Sequence, residues 1–291
     1  MLEILASTLR LSTPLLFAAM GGVLCERAGI ATICLEGAMI AGAWAAAVVN
    51  LETHNPWLGL VAGIVAGALV MCVHAALTLG ARAQAIVSGV AVNLLALGLT
   101  PSLDKALYGS PTNTPSIPLG DRFTTVLGLP VLVYGALALP FAVHLLFSRT
   151  GWGLWITAAG DKPDALRALG ISPVRVRLAA LLAGGAMAGI GGVYLSIAHA
   201  SQFTRDMTAG RGFIALAAVI FGKWKPLPAA AACLVFGVAD MLQIHLQSVE
   251  LWGTQVPVQF VQALPYVVTL VVLAGFVGKA VPPRAIVDGG R

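Results

Sequence analysis

The chain has 291 residues, of which 58% are hydrophobic and 10% are charged, and its mean hydropathy is +0.91. Soluble domains carry about 25% charged residues, so this chain is predicted to be an integral membrane protein. The net charge of +5 does not indicate nucleic-acid binding, because the cations are spread between apolar runs and form no single patch.

Nine apolar runs, separated by polar or Pro/Gly-rich stretches, predict an all-α polytopic protein with about nine transmembrane helices. The runs cover residues 5–25, 30–50, 56–80, 84–101, 124–147, 174–198, 212–222, 227–248 and 258–279. The first run lacks a basic start and a clear cleavage site, so it is predicted to be a span and not a signal peptide. The run at 212–222 is too short to cross a bilayer straight and is predicted to be re-entrant or broken.

These runs predict a single membrane domain over residues 1–283, with a short tail at 284–291. With the loop at 148–177 in the cytoplasm, twelve of the 17 cations fall on the inner side and five on the outer side. Because cytoplasmic loops carry an excess of Lys and Arg, the N-terminus is predicted to lie outside and the tail inside. The Pro-, Ser- and Thr-rich stretch at 101–123 is then a solvated outer loop.

The stretch from Gly21 to Ala46 contains the carboxylates Glu26 and Glu36, and a charge costs roughly 2.5–3.5 kcal/mol at the centre of a membrane helix on insertion scales. Glu26 and Arg27 are predicted to mark the inner interface, mainly as topological residues. Glu36 lies about 13–14 Å further in, close to the middle of a hydrocarbon core of about 30 Å. Gly29 and Thr32 lie between, which favours irregular backbone, and such backbone exists at this depth only inside protein or along a wet cavity.

Two further runs carry polar groups to a similar depth. Asn93 lies about 16 Å beyond the preceding interfacial arginine, with Ser88 below it. Asp240 lies about 21 Å into its run, and Asp240, Gln243 and Gln247 share one helix face. Such groups either hold the bundle together or line a solute pathway. The cost of burying a carboxylate favours a pathway or an essential structural role for the acidic ones.

Small residues recur at a spacing of four, which predicts close helix packing. They are Gly59, Gly63 and Gly67 in one run, and Gly185 and Gly189 in another. The four cysteines lie in apolar stretches without a CxxC pair, so buried thiols are favoured over metal or disulfide roles.

The longest inner loop, 148–177, contains the sequence DKPDALRALG, which predicts a short helix over 162–169. Asp161 suits its N-cap, Pro163 its first turn and Gly170 the position just past its end. An isolated helix of two turns is unstable. It must therefore lie either on its own bundle or on a partner.

The sequence offers little support for an enzyme. It has no HExxH motif, no GxSxG elbow and no GxxxxGK[ST] phosphate loop, and its five histidines show no metal spacing. The chain is therefore predicted not to hydrolyse ATP itself. A secondary transporter or channel that acts alone, with buried carboxylates as ion or proton sites, remains an alternative.

Four blocks of the sequence carry a family resemblance. They are ERAGIATICLEGAMIAGAWAA, QAIVSGVAVNLLALGLT, AAGDKPDALRALGISPVRVRLAALLAGGAMAGIGGVYLS and MTAGRGFIALAAVIFGKWKPLPAAAACLVFGVADMLQIHLQ. These blocks resemble the permease subunits of ABC importers for simple sugars and nucleosides, the ribose-permease superfamily, and its nucleoside branch most closely. The likeness runs from about residue 5 to 283. Thr32 and Cys34 depart from the pattern of the first block, where an Asn and a Gly are usual.

The resemblance implies a bundle like that of type II ABC importers in a bacterial cytoplasmic membrane, with several subunits. Two permeases form the pathway, and the second is usually a different, longer chain. Two ATPase subunits hold ATP and Mg, so this chain needs no cofactor, and an extracytoplasmic protein delivers the substrate. A purine or pyrimidine nucleoside, a riboflavin-like ligand and a sugar all remain open as substrates, and the permease pair is either homo- or heteromeric.

The resemblance also implies roles for the loop helix and the deep polar groups. The helix at 162–169 would dock into a cleft of an ATPase subunit, and the residues assigned to this coupling are Asp161, Pro163, Leu166, Arg167, Leu169 and Gly170. The residues assigned to the substrate pathway are Glu36, Ser88, Asn93, Phe213, Asp240 and Gln243. The carboxylates and amides would bond ribose hydroxyls and base edges. Phe213 would stack on a base, although packing is the favoured alternative for it.

Overall fold

A computed structural model describes residues 2–246, 250–251, 254–255 and 281–287. Its α-helices are α1 (Leu2–Arg27), α2 (Leu35–Thr53), α3 (Pro56–Ala75), α4 (Ala85–Tyr108), α5 (Val131–Arg149), α6 (Gly151–Asp161), α7 (Pro163–Ala168), α8 (Pro173–Val193), α9 (Arg211–Phe221), α10 (Pro226–Leu246) and α11 (Arg284–Val287). Two antiparallel hairpins pair β1 (Thr125–Val126) with β2 (Leu129–Pro130), and β3 (Glu250–Leu251) with β4 (Thr254–Gln255). The all-α class is therefore confirmed.

Six helices within the described ranges are long and apolar enough to cross a membrane. They are α1, α3, α4, α5, α8 and α10, where α3 and α8 each end in a π-helical turn. The short run predicted at 212–222 corresponds to α9, whose 11 residues span only about 16 Å. The ninth predicted run, 258–279, lies outside the described residues.

The centre of the bundle is formed by α8, which packs against α1, α2 and α3. Glycines allow these backbones to meet, because a Cβ at Gly67 of α3 would lie 2.8 Å from Gly189 Cα of α8. A Cβ at Gly42 of α2 would lie 2.6 Å from the same atom. The close packing predicted from the glycine spacing is confirmed. Large apolar side chains such as Val61 and Leu94 point outward from α3 and α4, as a lipid-facing surface requires.

The structure corrects the start of the predicted outer loop at 101–123. Helix α4 continues through Pro101 to Tyr108, so the loop begins only after that residue. Proline removes one backbone donor and normally ends a helix. Here a buried contact holds the following turn, because Asp104 Oδ1 accepts a 2.7 Å hydrogen bond from Trp44 Nε1 of α2.

The run predicted at 124–147 begins with a hairpin and not with a helix. Leu127 and Gly128 have φ values of 50° and 77°, and two consecutive residues of positive φ form the turn that suits a two-residue hairpin loop. Helix α5 therefore begins at Val131. The Arg10 side chain of α1 donates to Gly128 O over 2.5 Å and ties the hairpin to the bundle.

The inner loop at 148–177 contains a helix that the sequence pattern did not predict. Helix α6 follows α5 after one residue, Thr150, whose Oγ1 accepts a 3.2 Å hydrogen bond from the N–H of Gly153. The C-terminal part of α6 contacts α8, since Arg177 of α8 donates to Ala159 O over 3.0 Å. We call this side of the bundle the α7 end and the opposite side, with β1 and β2, the hairpin end.

Candidate functional site

The chain between α1 and α2 is a largely buried stretch of irregular backbone, residues 28–34, which we call the break segment. Helix α1 ends in a Schellman motif, in which Ile30 N–H donates to Cys25 O over 3.3 Å and Gly29 N–H donates to Glu26 O over 2.9 Å. Gly29 has a φ of 92°, which side-chain-bearing residues rarely adopt. The irregular backbone predicted from Gly29 is therefore confirmed.

Glu26 holds the break segment from the α1 side. Its carboxylate is buried, with Oε1 accepting from Thr32 N–H over 3.4 Å and Oε2 accepting from Trp224 Nε1 over 2.6 Å. The prediction that Glu26 is an interfacial, mainly topological residue is therefore wrong. Its neighbour Arg27 does lie near the surface, but the Glu26 side chain turns inward to a tryptophan 198 residues away, which no local pattern reveals.

Asn93 of α4 holds the other end of the break segment. Its Oδ1 accepts a 2.8 Å hydrogen bond from Gly37 N–H, and its Nδ2 donates over 2.9 Å to Ile33 O. A Cβ at Gly37 would lie 2.9 Å from Asn93 Oδ1, so the close approach requires glycine. A single amide side chain thus satisfies one donor and one acceptor where α2 begins.

Glu36, in the first turn of α2, caps a second helix. Its Oε1 accepts from Thr208 Oγ1 over 2.5 Å and from Gly210 N–H over 2.9 Å, and its Oε2 accepts from Gly212 N–H over 2.6 Å. These groups lie at the start of α9, where backbone donors lack intrahelical partners and the helix dipole favours negative charge. The Glu36 side chain therefore contacts another helix.

The close fit around Glu36 extends to the backbone. A Cβ at Gly212 would lie 2.5 Å from Glu36 N and 2.7 Å from Glu36 Oε2. Gly210, the N-cap of α9, has a φ of 81°. The break segment and the start of α9 are two interrupted elements held together by side chains, the kind of construction from which transporters build solute sites.

Ser88 is also buried and engaged by the protein. Its Oγ lies 3.0 Å from Nδ1 of His74, which is itself fully buried on α3. The bundle itself therefore supplies hydrogen-bond partners for the polar side chains of Glu36, Ser88 and Asn93.

The remaining predicted pathway residues lie nearer the surface of the chain. Phe213 of α9 is 48% exposed, and Asp240 and Gln243 on α10 are partly exposed. Arg211, at the start of α9, interacts electrostatically with Asp240 and donates to Met207 O over 3.2 Å. Arg211 was not among the predicted pathway residues, although its neighbour in the chain, Gly212, bonds Glu36. Gln247, predicted on the same face as Asp240, lies outside the described residues.

Helix α7 forms the predicted short helix of the inner loop, with Pro163 in its first turn. Gly170 has a φ of 73° and donates to Arg167 O over 3.0 Å, while Ile171 N–H donates to Leu166 O over 2.9 Å. This is a second Schellman motif, so the end predicted at Gly170 is confirmed. Arg167 also pairs with the exposed side chain of Asp164, one turn earlier.

The two leucines of α7 differ in their surroundings. Leu166 is 1% exposed and belongs to the core, whereas Leu169 is 73% exposed. Their burial differs because the helix ends at Ala168, so Leu169 already lies outside it. Leu166 anchors α7 to the bundle, whereas the apolar side chain of Leu169 is exposed.

The predicted N-cap of this helix is wrong. Lys162 occupies the capping position, without a side-chain hydrogen bond, and Asp161 ends the preceding helix α6. The Oδ1 of Asp161 instead accepts a 3.4 Å hydrogen bond from the N–H of Arg284. Asp161 therefore joins α6 to α11, an element formed by the predicted C-terminal tail.

Comparison with known proteins places the chain in a family. The family model described as the permease component of branched-chain amino acid transport systems matches residues 4–273. The chain belongs to this permease family. The match spans α1 to α10, including the break segment and the Glu36 cap. With six apolar helices among its described residues, the permease is a multi-pass membrane protein and a subunit of an ABC transporter.

Three relatives of the permease are informative. It is 38% identical to the guanosine ABC transporter permease protein NupQ of Bacillus subtilis and 37% identical to the nucleoside ABC transporter permease protein NupC of Lactococcus lactis. Each alignment covers 97% of this chain and 94% of the relative. A putative glucose ABC transporter permease protein of Haloferax volcanii is 31% identical over 93% of this chain and 90% of its own. No solved structure matches the chain.

Proposed function

We propose that this permease carries nucleosides, or a related small polar solute such as a simple sugar, into the cell as the membrane subunit of an ATP-driven importer. The observation that carries the proposal is the similarity to two nucleoside permeases over 97% of the chain. The glucose relative, at 31% identity, keeps simple sugars as the second substrate class.

The proposed orientation puts the α7 end in the cytoplasm and the hairpin end outside, with the N-terminus outside and the C-terminus inside. Its support is the excess of Lys and Arg that the sequence assigns to the α7 side. In this orientation α7 faces the ATPase subunits, which hold ATP and Mg, while this chain needs no cofactor. A second, longer permease and an extracytoplasmic binding protein complete the complex, and the bundle is of the type II importer kind.

The side chains proposed to contact the solute are accessible ones on α9 and on α10, which packs against it, namely Arg211, Phe213, Asp240 and Gln243. An aromatic ring stacks on a base, and carboxylate, amide and guanidinium groups bond ribose hydroxyls and base edges. Glu36, Ser88 and Asn93 act as positioning residues, because their polar atoms already bond the protein.

In the proposed mechanism, closure of the ATPase subunits on ATP displaces α7, which Leu166 ties to the bundle. A rigid-body movement of the helices then changes the side on which the pathway opens. A transporter that acts alone, with Glu36 as its ion site, is less well supported, because three protein donors already occupy the Glu36 carboxylate.

Competition experiments test the substrate class. Cells that lack their own nucleoside uptake, and that express the permease with its partner subunits, are given labelled guanosine. We expect excess unlabelled nucleosides to suppress the uptake and excess glucose to leave it unchanged. No uptake of guanosine together with uptake of labelled glucose would move the proposal to the sugar class, and uptake of neither solute would refute it.

A further inference from the structure

The described C-terminal segment, residues 281–287, is packed against the break segment. Ala285 is 3% exposed, and a Cβ added at Gly29 would lie 2.6 Å from Ala285 Cβ. The segment also meets the end of α6 through the hydrogen bond from Arg284 N–H to Asp161 Oδ1. The C-terminal segment therefore contacts both the break segment and the end of α6, directly before α7.

A groove of about 460 Å³ separates the C-terminal segment from α7. Its lining includes Asp161, Lys162, Pro163, Asp164, Arg284 and Ala285. Lys162 and Arg284 are exposed, and within the described ranges neither takes part in a salt bridge, whereas Asp164 is neutralised by Arg167. Asp161 is the one further carboxylate of the lining, and its Oδ1 accepts only the backbone N–H of Arg284. Two cations therefore face one carboxylate, and the groove carries a net positive charge.

We propose that this groove is a second docking surface for the ATPase subunit, occupied by an acidic helix or loop of that subunit between α7 and the C-terminal segment. The inference rests on the proposed function, because α7 is there the contact with the ATPase. Two observations favour this occupant. The groove is continuous with α7, and its two cations, which form no salt bridge with another described residue, outnumber the remaining carboxylate and are complementary to acidic groups.

This second contact would connect the ATPase subunit, through the C-terminal segment, to the break segment of the candidate site. Ala285 packs on Gly29, which begins the break segment, and Asn93 and Glu26 tie that segment to α4 and Trp224. Movement of the ATPase subunit against the C-terminal segment thus acts on the break segment, whose continuation, α2, carries the Glu36 cap of α9.

The test measures the Kd of the purified ATPase subunit for the permease in nanodiscs of zwitterionic lipid. The double charge reversal Lys162→Glu with Arg284→Glu is expected to weaken binding roughly tenfold. The conservative pair Lys162→Arg with Arg284→Lys is expected to retain it. Arg82→Glu, an exposed cation outside the groove, is the matched control and is expected to keep the wild-type Kd. Size-exclusion profiles and thermal midpoints establish that all variants fold.

Leu169→Asp separates the failure of this inference from the failure of the proposed function. If Leu169→Asp weakens binding and the double reversal does not, the groove is not a docking surface, while the role of α7 stands. If neither variant changes the Kd, docking through α7 is itself refuted. Loss of anionic-lipid binding by the double reversal, at an unchanged Kd for the ATPase subunit, would assign the groove to a lipid headgroup and overturn the inference.

Discussion

At the scale of single residues, the buried polar side chains of this permease act on backbone. Glu26, Glu36 and Asn93 each accept a hydrogen bond from a backbone N–H at an interrupted helix. In hydrocarbon, unsatisfied backbone groups cost several kcal/mol each, so an interruption of a helix requires such partners. A buried carboxylate is costly in an apolar helix, but here it stabilises the irregular backbone around it by accepting hydrogen bonds from backbone N–H groups.

Replacement of Glu36 tests this role. We expect Glu36→Ala to lower the free energy of unfolding by about 2–4 kcal/mol, because it removes charge-assisted hydrogen bonds from three donors, two of them buried. Glu36→Gln keeps one acceptor oxygen and is expected to lose about half as much. Unfolding in mixed micelles measures both. The matched control is Glu52→Ala on the exposed face of the same helix, and an equal loss there would contradict the capping role.

Gly212→Ala tests the contact between α9 and α2 without a change of charge. The added Cβ would lie 2.5 Å from Glu36 N, so α9 must move away, and we expect a loss of about 1–3 kcal/mol together with a loss of transport. Gly98→Ala in α4 is the control, since a Cβ there meets nothing within 4 Å. It is expected to stabilise the helix by about 0.5–1 kcal/mol. Similar behaviour of the two variants in thermal unfolding would contradict the close fit.

Trp224→Phe tests the bond to Glu26. Phenylalanine keeps the apolar ring but removes the indole donor, so a buried carboxylate oxygen loses its partner and we expect a cost of about 1–3 kcal/mol. Trp152→Phe, at a tryptophan that is 52% exposed, is expected to change stability by less than about 0.5 kcal/mol. Equal thermal midpoints of the two variants would show that the Glu26 bond contributes nothing.

At the scale of elements, α7 is a short helix whose two leucines have separate tasks. Leu166→Asp buries a charge in the core and is expected to lower the yield of folded protein sharply. Leu169→Asp is expected to leave the thermal midpoint unchanged and to abolish co-purification with the ATPase subunit. Folded, fully assembled Leu169→Asp would contradict docking through α7, and folded Leu166→Asp would contradict its anchoring role.

The sequence pattern located most elements but not all of their limits. The apolar runs predicted α3, α8, α9 and α10 closely, because composition and Pro/Gly punctuation fix where an apolar helix can begin. Helix α6 was missed because its 11 residues are too few to stand out within a loop. Helix α4 continues past Pro101, and Trp44, on another helix, bonds Asp104 in the following turn, a contact that no local pattern predicts.

At the scale of the whole molecule, the burial of Glu36 and Asn93 agrees with their predicted place inside the bundle, whereas their bonding partners were not predictable. Thr208 and Gly212 lie 172 and 176 residues from Glu36, so only the fold brings them together. Four sequence blocks indicated the permease family, and the match over residues 4–273 confirms it. No sequence pattern predicted how three elements near the α7 end pack together. The C-terminal segment packs on the break segment, and α2, which continues that segment, carries the Glu36 cap of α9.

Uptake of labelled guanosine into proteoliposomes tests the central claim most directly. The vesicles hold the permease either alone or with its ATPase subunits, the second permease and the external binding protein, with ATP or a non-hydrolysable analogue on the cytoplasmic face. The account predicts uptake only with the complete complex and hydrolysable ATP. Equal uptake by the permease alone, driven by an ion gradient, would contradict it.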